Sequence, residues 1–126
     1  MPRRPSRTRR GRIGSRGGAE QARVAVVLVT CPRRPQAERL ARLIVRERLA
    51  ACVNVVPGVR SYFWWQGRID RADEVLLLIK TTFSRFPRLA ATIRSHHPYD
   101  VPELIALPVS AGHPPYLAWV QDSVTS

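Results

Sequence analysis

The sequence predicts an α+β fold, a two-layer ferredoxin-like β-α-β-β-α-β sandwich with an additional short C-terminal helix. Three observations carry that expectation. The segments 24–30 and 74–81 are apolar on both alternating faces, as strands in the middle of a sheet are. Each is followed by a stretch whose apolar residues recur at helical spacing. An extended aromatic run ends on Gln66-Gly67, a pair suited to a tight turn. With 126 residues, 44% of them hydrophobic, the chain has the length of one domain that can bury a core without disulfide or metal support.

Val24-Ala25-Val26-Val27-Leu28-Val29-Thr30 reads as the first, central strand, interrupted by Pro32 and Pro35. Pro35 suits a helix start, where its missing N–H would have no partner anyway. Over Gln36 to Leu49, Ala37, Leu40, Ala41, Ile44 and Val45 form an apolar stripe, and Glu38 to Arg42 is an i,i+4 pair on the wet side. Cys52 to Val56 is a second strand, closed by Pro57-Gly58, and a further extended run covers Arg60 to Trp65. Glu74 to Thr81 is the next strand. Ser84 is a candidate cap for a second helix bearing Phe86, Leu89, Ala90 and Ile93, which ends at His96-His97-Pro98 because the residue before proline is disfavoured in helical conformation. Leu104 to Leu107 is the last strand, and Pro114-Pro115 introduces a short helix with Leu117, Trp119 and Val120.

A two-layer sandwich leaves one sheet face open, yet these central strands are apolar on both faces. Along Tyr62-Phe63-Trp64-Trp65, Phe63 and Trp65 point to one side, Tyr62 and Trp64 to the other. Exposing both sets makes a larger apolar patch than monomers usually carry, so an oligomer interface is expected there. Stacking of these rings on nucleic-acid bases is the competing role, but the aromatic signature of RNA-binding sheets is missing.

The formal charge of +12 is unevenly placed. Residues 1–23 hold eight Arg and one Glu, with Arg, Gly, Ser and Pro dominating, and are expected to be a disordered extension preceding a domain at 24–126. Such a tail is either an electrostatic arm for an anionic partner or a solvated extension. The pI therefore does not make the folded part a nucleic-acid binder, and nucleic acid is not among its expected partners. No apolar run approaches a membrane span, and no secretory signal is visible. Cys31 and Cys52 both sit in apolar settings, too few for a disulfide framework, which fits a cytoplasmic, reduced protein.

Taken in order, Thr30-Cys31-Pro32, Leu49-Ala50-Ala51-Cys52-Val53-Asn54, Pro57-Gly58, Ser61-Tyr62, Trp65 with Gly67 and Glu74-Val75 leading to Ile79-Lys80-Thr81 form a specific pattern. It continues through Ser95-His96-His97-Pro98-Tyr99, Pro102-Glu103, Ile105-Ala106-Leu107-Pro108-Val109 and Tyr116-Leu117-Ala118-Trp119. Over about residues 24–122 the chain resembles the CutA divalent-cation-tolerance family. The resemblance implies a compact homotrimer of ferredoxin-like subunits with long hairpins pairing across subunits, a link to tolerance of divalent metals, copper especially, and no enzymatic reaction or required cofactor.

The resemblance also implies copper binding by His96 and His97 with a cysteine near the end of the first strand. Here that cysteine position is Val29, and Cys31 follows two residues later on the same strand parity. Adjacent imidazoles with a thiolate suit Cu(II) or Zn(II). Adjacent histidines lack the i,i+4 spacing that brings two rings to one metal on a helix, so capping and hydrogen bonding are the other role open to them. Lys80 is the only lysine beside 20 Arg, which points to a compact ammonium. It is a candidate anion- or carboxylate-binding group near Glu74, Tyr99 or Glu103 in a cleft between subunits, or else an intersubunit ion-pair partner. Two functions from different classes follow: a metal-response protein that binds Cu(II) or Zn(II), and a signalling module taking an anion or nucleotide at subunit clefts. Phosphate-binding glycine loops are missing from the sequence. Ser110 and His113 have no acid partner in the sequence pattern, so a hydrolase is unsupported.

Overall fold

The computed structural model describes residues 22–125. The Arg-rich extension expected at 1–23 lies outside them, except for Ala22 and Arg23. Seven elements follow in chain order: β1 (Val24–Cys31), α1 (Arg34–Arg46), β2 (Cys52–Trp65), β3 (Arg68–Thr82), α2 (Phe86–His96), β4 (Ile105–Pro108) and α3 (Pro114–Ser123). The sheet order is β2-β3-β1-β4, every neighbouring pair antiparallel, which is the ferredoxin-like arrangement.

Strand parity divides the apolar residues between two faces. Val27, Val29 and Cys31 of β1 with Val75, Leu77 and Ile79 of β3 face α1 and α2, and join Ala37, Leu40, Ile44, Leu89 and Ile93 in one buried core. The alternate residues Val26, Leu28, Leu76 and Leu78 look the other way and are only half-buried. Beside them Ile105 and Leu107 of β4 are 49% and 46% exposed. In one copy this second face is bare over much of its area. α3 packs against β1 and β3, buries Val120 and Val124 completely, and ties down the N-terminal end through a hydrogen bond from the Gln121 amide to the Ala22 carbonyl.

Two expected boundaries are corrected. Pro57-Gly58 does not close a strand. β2 runs through it, with a register irregularity between Val56 and Val59 and Gly58 at φ +81°. Proline is tolerated because β2 is an edge strand, so the lost N–H breaks no ladder on both sides. Nor does Ser84 cap α2. Its hydroxyl pairs with the Thr82 hydroxyl, and Arg85 occupies the cap position without a side-chain bond. The expected turn at Gln66-Gly67 is present, both residues having positive φ (51° and 81°), as a two-residue turn matched to strand twist needs.

β2 and β3 outrun the rest of the sheet. β3 leaves β1 at Val75, so residues 59–65 and 68–74 form a two-stranded arm projecting beyond the sheet. At its end Tyr62 is 64%, Trp64 73%, Trp65 58% and Ile69 65% exposed, and Phe63 is 38% exposed.

Candidate functional site

A cleft of about 1170 Å³ opens where the arm leaves the sheet. The end of β1 contributes Thr30, the arm Ser61, Tyr62, Phe63, Trp65, Asp70 and Glu74, and the segment after α2 contributes Pro98 to Glu103. Its polar framework starts from His97. As the residue before Pro98 it is extended (φ −90°, ψ 140°), which ends α2 and turns its ring inward. The Tyr99 backbone N–H donates to Nδ1 at 3.1 Å, and Nε2 donates to the Thr30 carbonyl at 2.7 Å. Since an amide can only donate and a carbonyl only accept, the ring is the Nε2–H tautomer with both nitrogens occupied. β4 pairs with β1 only as far as Leu28, so His97 supplies a donor beyond the point where that strand stops.

The same turn aims Tyr99 at Glu74. The two aromatic rings lie 5.0 Å apart, and the phenol donates to Glu74 Oε2 at 3.0 Å. Burial pushes the Tyr99 phenol up, and the hydrogen bond to Glu74 and its charge push it further, so the phenol stays a donor. Glu74 is 8% exposed and forms no ion pair among the described residues. A shallower indentation shares Tyr62 and Glu74 with the cleft and holds Arg60, but that guanidinium is taken by Asp73 at 3.0 Å. Among the described residues, the cleft is therefore lined by Asp70, Glu74, Asp100 and Glu103 together with aromatic rings, and by no Lys, Arg or His.

Of the predicted ligand-cleft residues, Glu74, Tyr99 and Glu103 line one cleft, and Lys80 is not among its walls. It lies six residues from Glu74 along β3, roughly 20 Å at strand rise, with Asn54 Oδ1 hydrogen-bonded to its Nζ and Cys52 Sγ 3.8 Å away. Even parity placed it on the right face but says nothing of distance along the strand. The arm rings Tyr62, Phe63 and Trp65 line the cleft, while Trp64 is not among its walls.

His96, His97 and Cys31 are not brought together as a ligand set. Among the described residues no group of three or more His, Cys, Asp or Glu is placed to hold a metal ion. His97 has no free lone pair, and His96 is exposed, its Nδ1–H donating to the Thr92 carbonyl at 2.9 Å. Cys31 is 1% exposed in the helix-side core, where burial first and the Glu74 charge second push its thiol up to about 11. A protonated, sealed thiol is a poor ligand. This has a measurable consequence. As pH rises from 9.0 to about 11, the unfolded thiol ionises while the folded one keeps its proton, so the unfolded state binds fewer protons and stability falls across that window. Urea unfolding at about pH 8.5 and about pH 10.5 should show a larger loss in the parent than in Cys31→Ala; equal losses would remove this role from Cys31.

The residues that sequence reasoning missed are Thr30, Ser61, Asp70 and Asp100. Asp70 faces Phe63 across the arm, so the hairpin register counted back from Gln66-Gly67 would have found it. Asp100 sits in an irregular segment for which no periodicity exists to read.

The family model described as "CutA1 divalent ion tolerance protein" matches residues 25–123. The chain is 48% identical over 103 residues to Protein CutA of Mus musculus, covering 82% of this chain and 58% of that protein. It thus spans little more than half of that relative's length. It is 47% identical to the divalent-cation tolerance protein CutA of Thermus thermophilus, over 78% of this chain and 95% of that one. Among solved structures, CutA from Xylella fastidiosa superimposes with a TM-score of 0.78 at 42% identity, covering 80% of this chain and 97% of that one. A protein from Archaeoglobus fulgidus described as periplasmic superimposes with a TM-score of 0.77 at 33% identity, over 80% of this chain and 98% of its own.

Proposed function

The chain belongs to the CutA1 divalent ion tolerance family, and from that premise we propose that it serves metal-ion response as a homotrimer, binding Cu(II) or Zn(II) in the cleft at the base of the arm, without catalysing a reaction. One observation carries the metal reading: in a chain of net charge +12, this cleft gathers four carboxylates and, among the described residues, no cationic side chain. Carboxylate oxygens suit divalent cations, and a partly desolvated site strengthens their attraction. An anion or nucleotide would meet the same four charges with no cationic side chain among the described lining residues to offset them.

Assembly belongs to the proposal because one copy is incomplete. No three ligating side chains converge among the described residues, so a second copy must close the coordination shell or the ion keeps its waters. The arm rings that wall the cleft are the same rings that an oligomer would cover, which supports a site at a subunit seam. The bare sheet face with Leu28, Leu78, Ile105 and Leu107 supports the same conclusion. No helix among the described residues is long and apolar enough to cross a membrane. The two free cysteines fit a reducing compartment, and we place the protein in the cytoplasm.

Isothermal titration of Cu(II) and Zn(II) tests the site. Glu74→Gln combined with Glu103→Gln keeps an acceptor for Tyr99 but removes two charges, and should weaken binding about tenfold or more, or ~1.4 kcal/mol. His96→Ala should bind as the parent does. Parent-like affinity in the double variant would sink the assignment.

A further inference from the structure

Cys52 and Lys80 take no part in the cleft. They are paired directly across β2 and β3, at the end of that ladder remote from the arm. Opposed residues on one sheet face have Cβ atoms about 4.5–5.5 Å apart, so a flexible lysine stem can lay its nitrogen on the facing side chain without backbone movement. It does so here: Lys80 Nζ donates to Cys52 Sγ at 3.8 Å and also to Asn54 Oδ1. Both Cys52 and Lys80 are half-buried. Tyr116 of α3 lies near enough that the Cys52 charge, after burial, pushes its phenol up. No carboxylate pairs with Lys80 among the described residues.

Composition sharpens this pairing. With 20 Arg to one Lys, the chain's sole side-chain amine faces one of its two cysteines. A guanidinium stays charged, whereas an ammonium can give up a proton and become a nucleophile. The other thiol is out of reach. Cys31 is on β1 and faces the helix-side core, while Cys52 is on β2, across β3 and on the opposite face. A sulfenic acid formed at Cys52 therefore meets no thiol of its own chain, and the nucleophile beside it is Lys80 Nζ.

We propose that Cys52 and Lys80 form a redox-sensitive cross-link, a sulfenamide between Sγ and Nζ made when hydrogen peroxide oxidises the thiol. In the first step the Cys52 thiolate, its proton given to solvent, attacks one peroxide oxygen. The S–O bond forms, the O–O bond breaks, and the second oxygen takes a solvent proton and leaves as water. Sulfur loses two electrons and the peroxide gains them. In the second step Lys80 Nζ, its ammonium proton given to solvent, attacks the sulfur. The S–N bond forms, the S–O bond breaks, and hydroxide leaves as water with a proton from the nitrogen. Thiol, amine and one peroxide thus give a sulfenamide and two waters. Two thiols of a cellular reductant reverse it and end as a disulfide. The bond ties the first residue of edge strand β2 to β3 and removes the ammonium, so peroxide alters both the charge and the freedom of a sheet edge.

The test treats the full chain, assembled as it is in solution, with hydrogen peroxide, alkylates free thiols and digests with trypsin without reductant. Cleavage after Arg48, Arg60, Arg71 and Arg85 should give residues 49–60 joined to 72–85, uncut at Lys80 and about 2 Da lighter than the two peptides together. Dithiothreitol should separate them, and before digestion the cross-linked protein should run as one 14.2 kDa chain. Lys80→Arg keeps the cation, and circular dichroism checks its fold. It should lose the joined pair and leave Cys52 as a sulfenic acid that dimedone traps. Cys31→Ala should keep the joined pair. Separate peptides in the treated parent, whether Cys52 is untouched, trapped by dimedone or in a disulfide, would overturn the proposal, as would loss of the pair in Cys31→Ala. So would a joined pair about 14 Da heavier than the peptides together, which would show an S–O–N bridge instead.

Discussion

His97→Phe should lower the unfolding free energy of metal-free protein by about 2–4 kcal/mol, whereas His96→Ala should change it by less than about 0.5 kcal/mol. The asymmetry follows from what each ring touches. His97 is buried, and replacing it leaves the Thr30 carbonyl, whose bond is buried, and the Tyr99 N–H, whose bond is half-buried, without their partner. Each such loss costs about 1–3 kcal/mol. His96 is exposed and bonds only its own helix and the neighbouring Ser95. Urea titration in the presence of a chelator, at one fixed protein concentration, reads the difference. Equal effects at the two positions would show that His97 is not the fastener described above. The same result bears on metal titrations, since a His97 variant that binds less copper has also lost the turn that aims Tyr99 at Glu74.

Phe63→Glu combined with Trp65→Glu should abolish the oligomer. These rings share one side of the arm and line the cleft, and each aromatic buried by a partner contributes about 1.5–3 kcal/mol that a carboxylate cannot. Leu78→Asp on the bare sheet face should do the same from a separate element. Sedimentation should show the parent at about three times 14.2 kDa, with no folded single copy at micromolar concentration. Both variants should sediment as single copies or fail to accumulate folded. A folded 14.2 kDa parent would end the trimer proposal.

Periodicity made the fold legible: strands apolar on both sides, helices apolar on one, and a turn pair whose two residues need positive φ. The exceptions are local competitions. Pro57-Gly58 reads as a stop in one dimension, yet an edge strand absorbs both residues as a bulge. Ser84 reads as a cap, yet the Thr82 hydroxyl holds it. The site was legible where residues lay on regular elements, as Glu74 does. It was opaque where three dimensions decide. Two adjacent histidines gave no sign that one would be sealed and the other left in water, whereas the distance of Lys80 from Glu74 could have been counted as six residues of one strand. The four-carboxylate lining could not be read from a strongly basic composition, because net charge carries no information about where the minority sign collects.

The arm has a consequence for turnover. Seven residues on each side reach about 23 Å beyond the sheet, and a lone two-stranded ribbon is marginal in water. Arg60, Arg68 and Arg71 lie along it, exposed in a solitary copy. An orphan subunit would thus present trypsin-like and housekeeping proteases with a frayed, cleavable finger, which the proposed assembly would hide. Surplus chains made out of proportion to their siblings would be cleared first, with no separate degradation signal required.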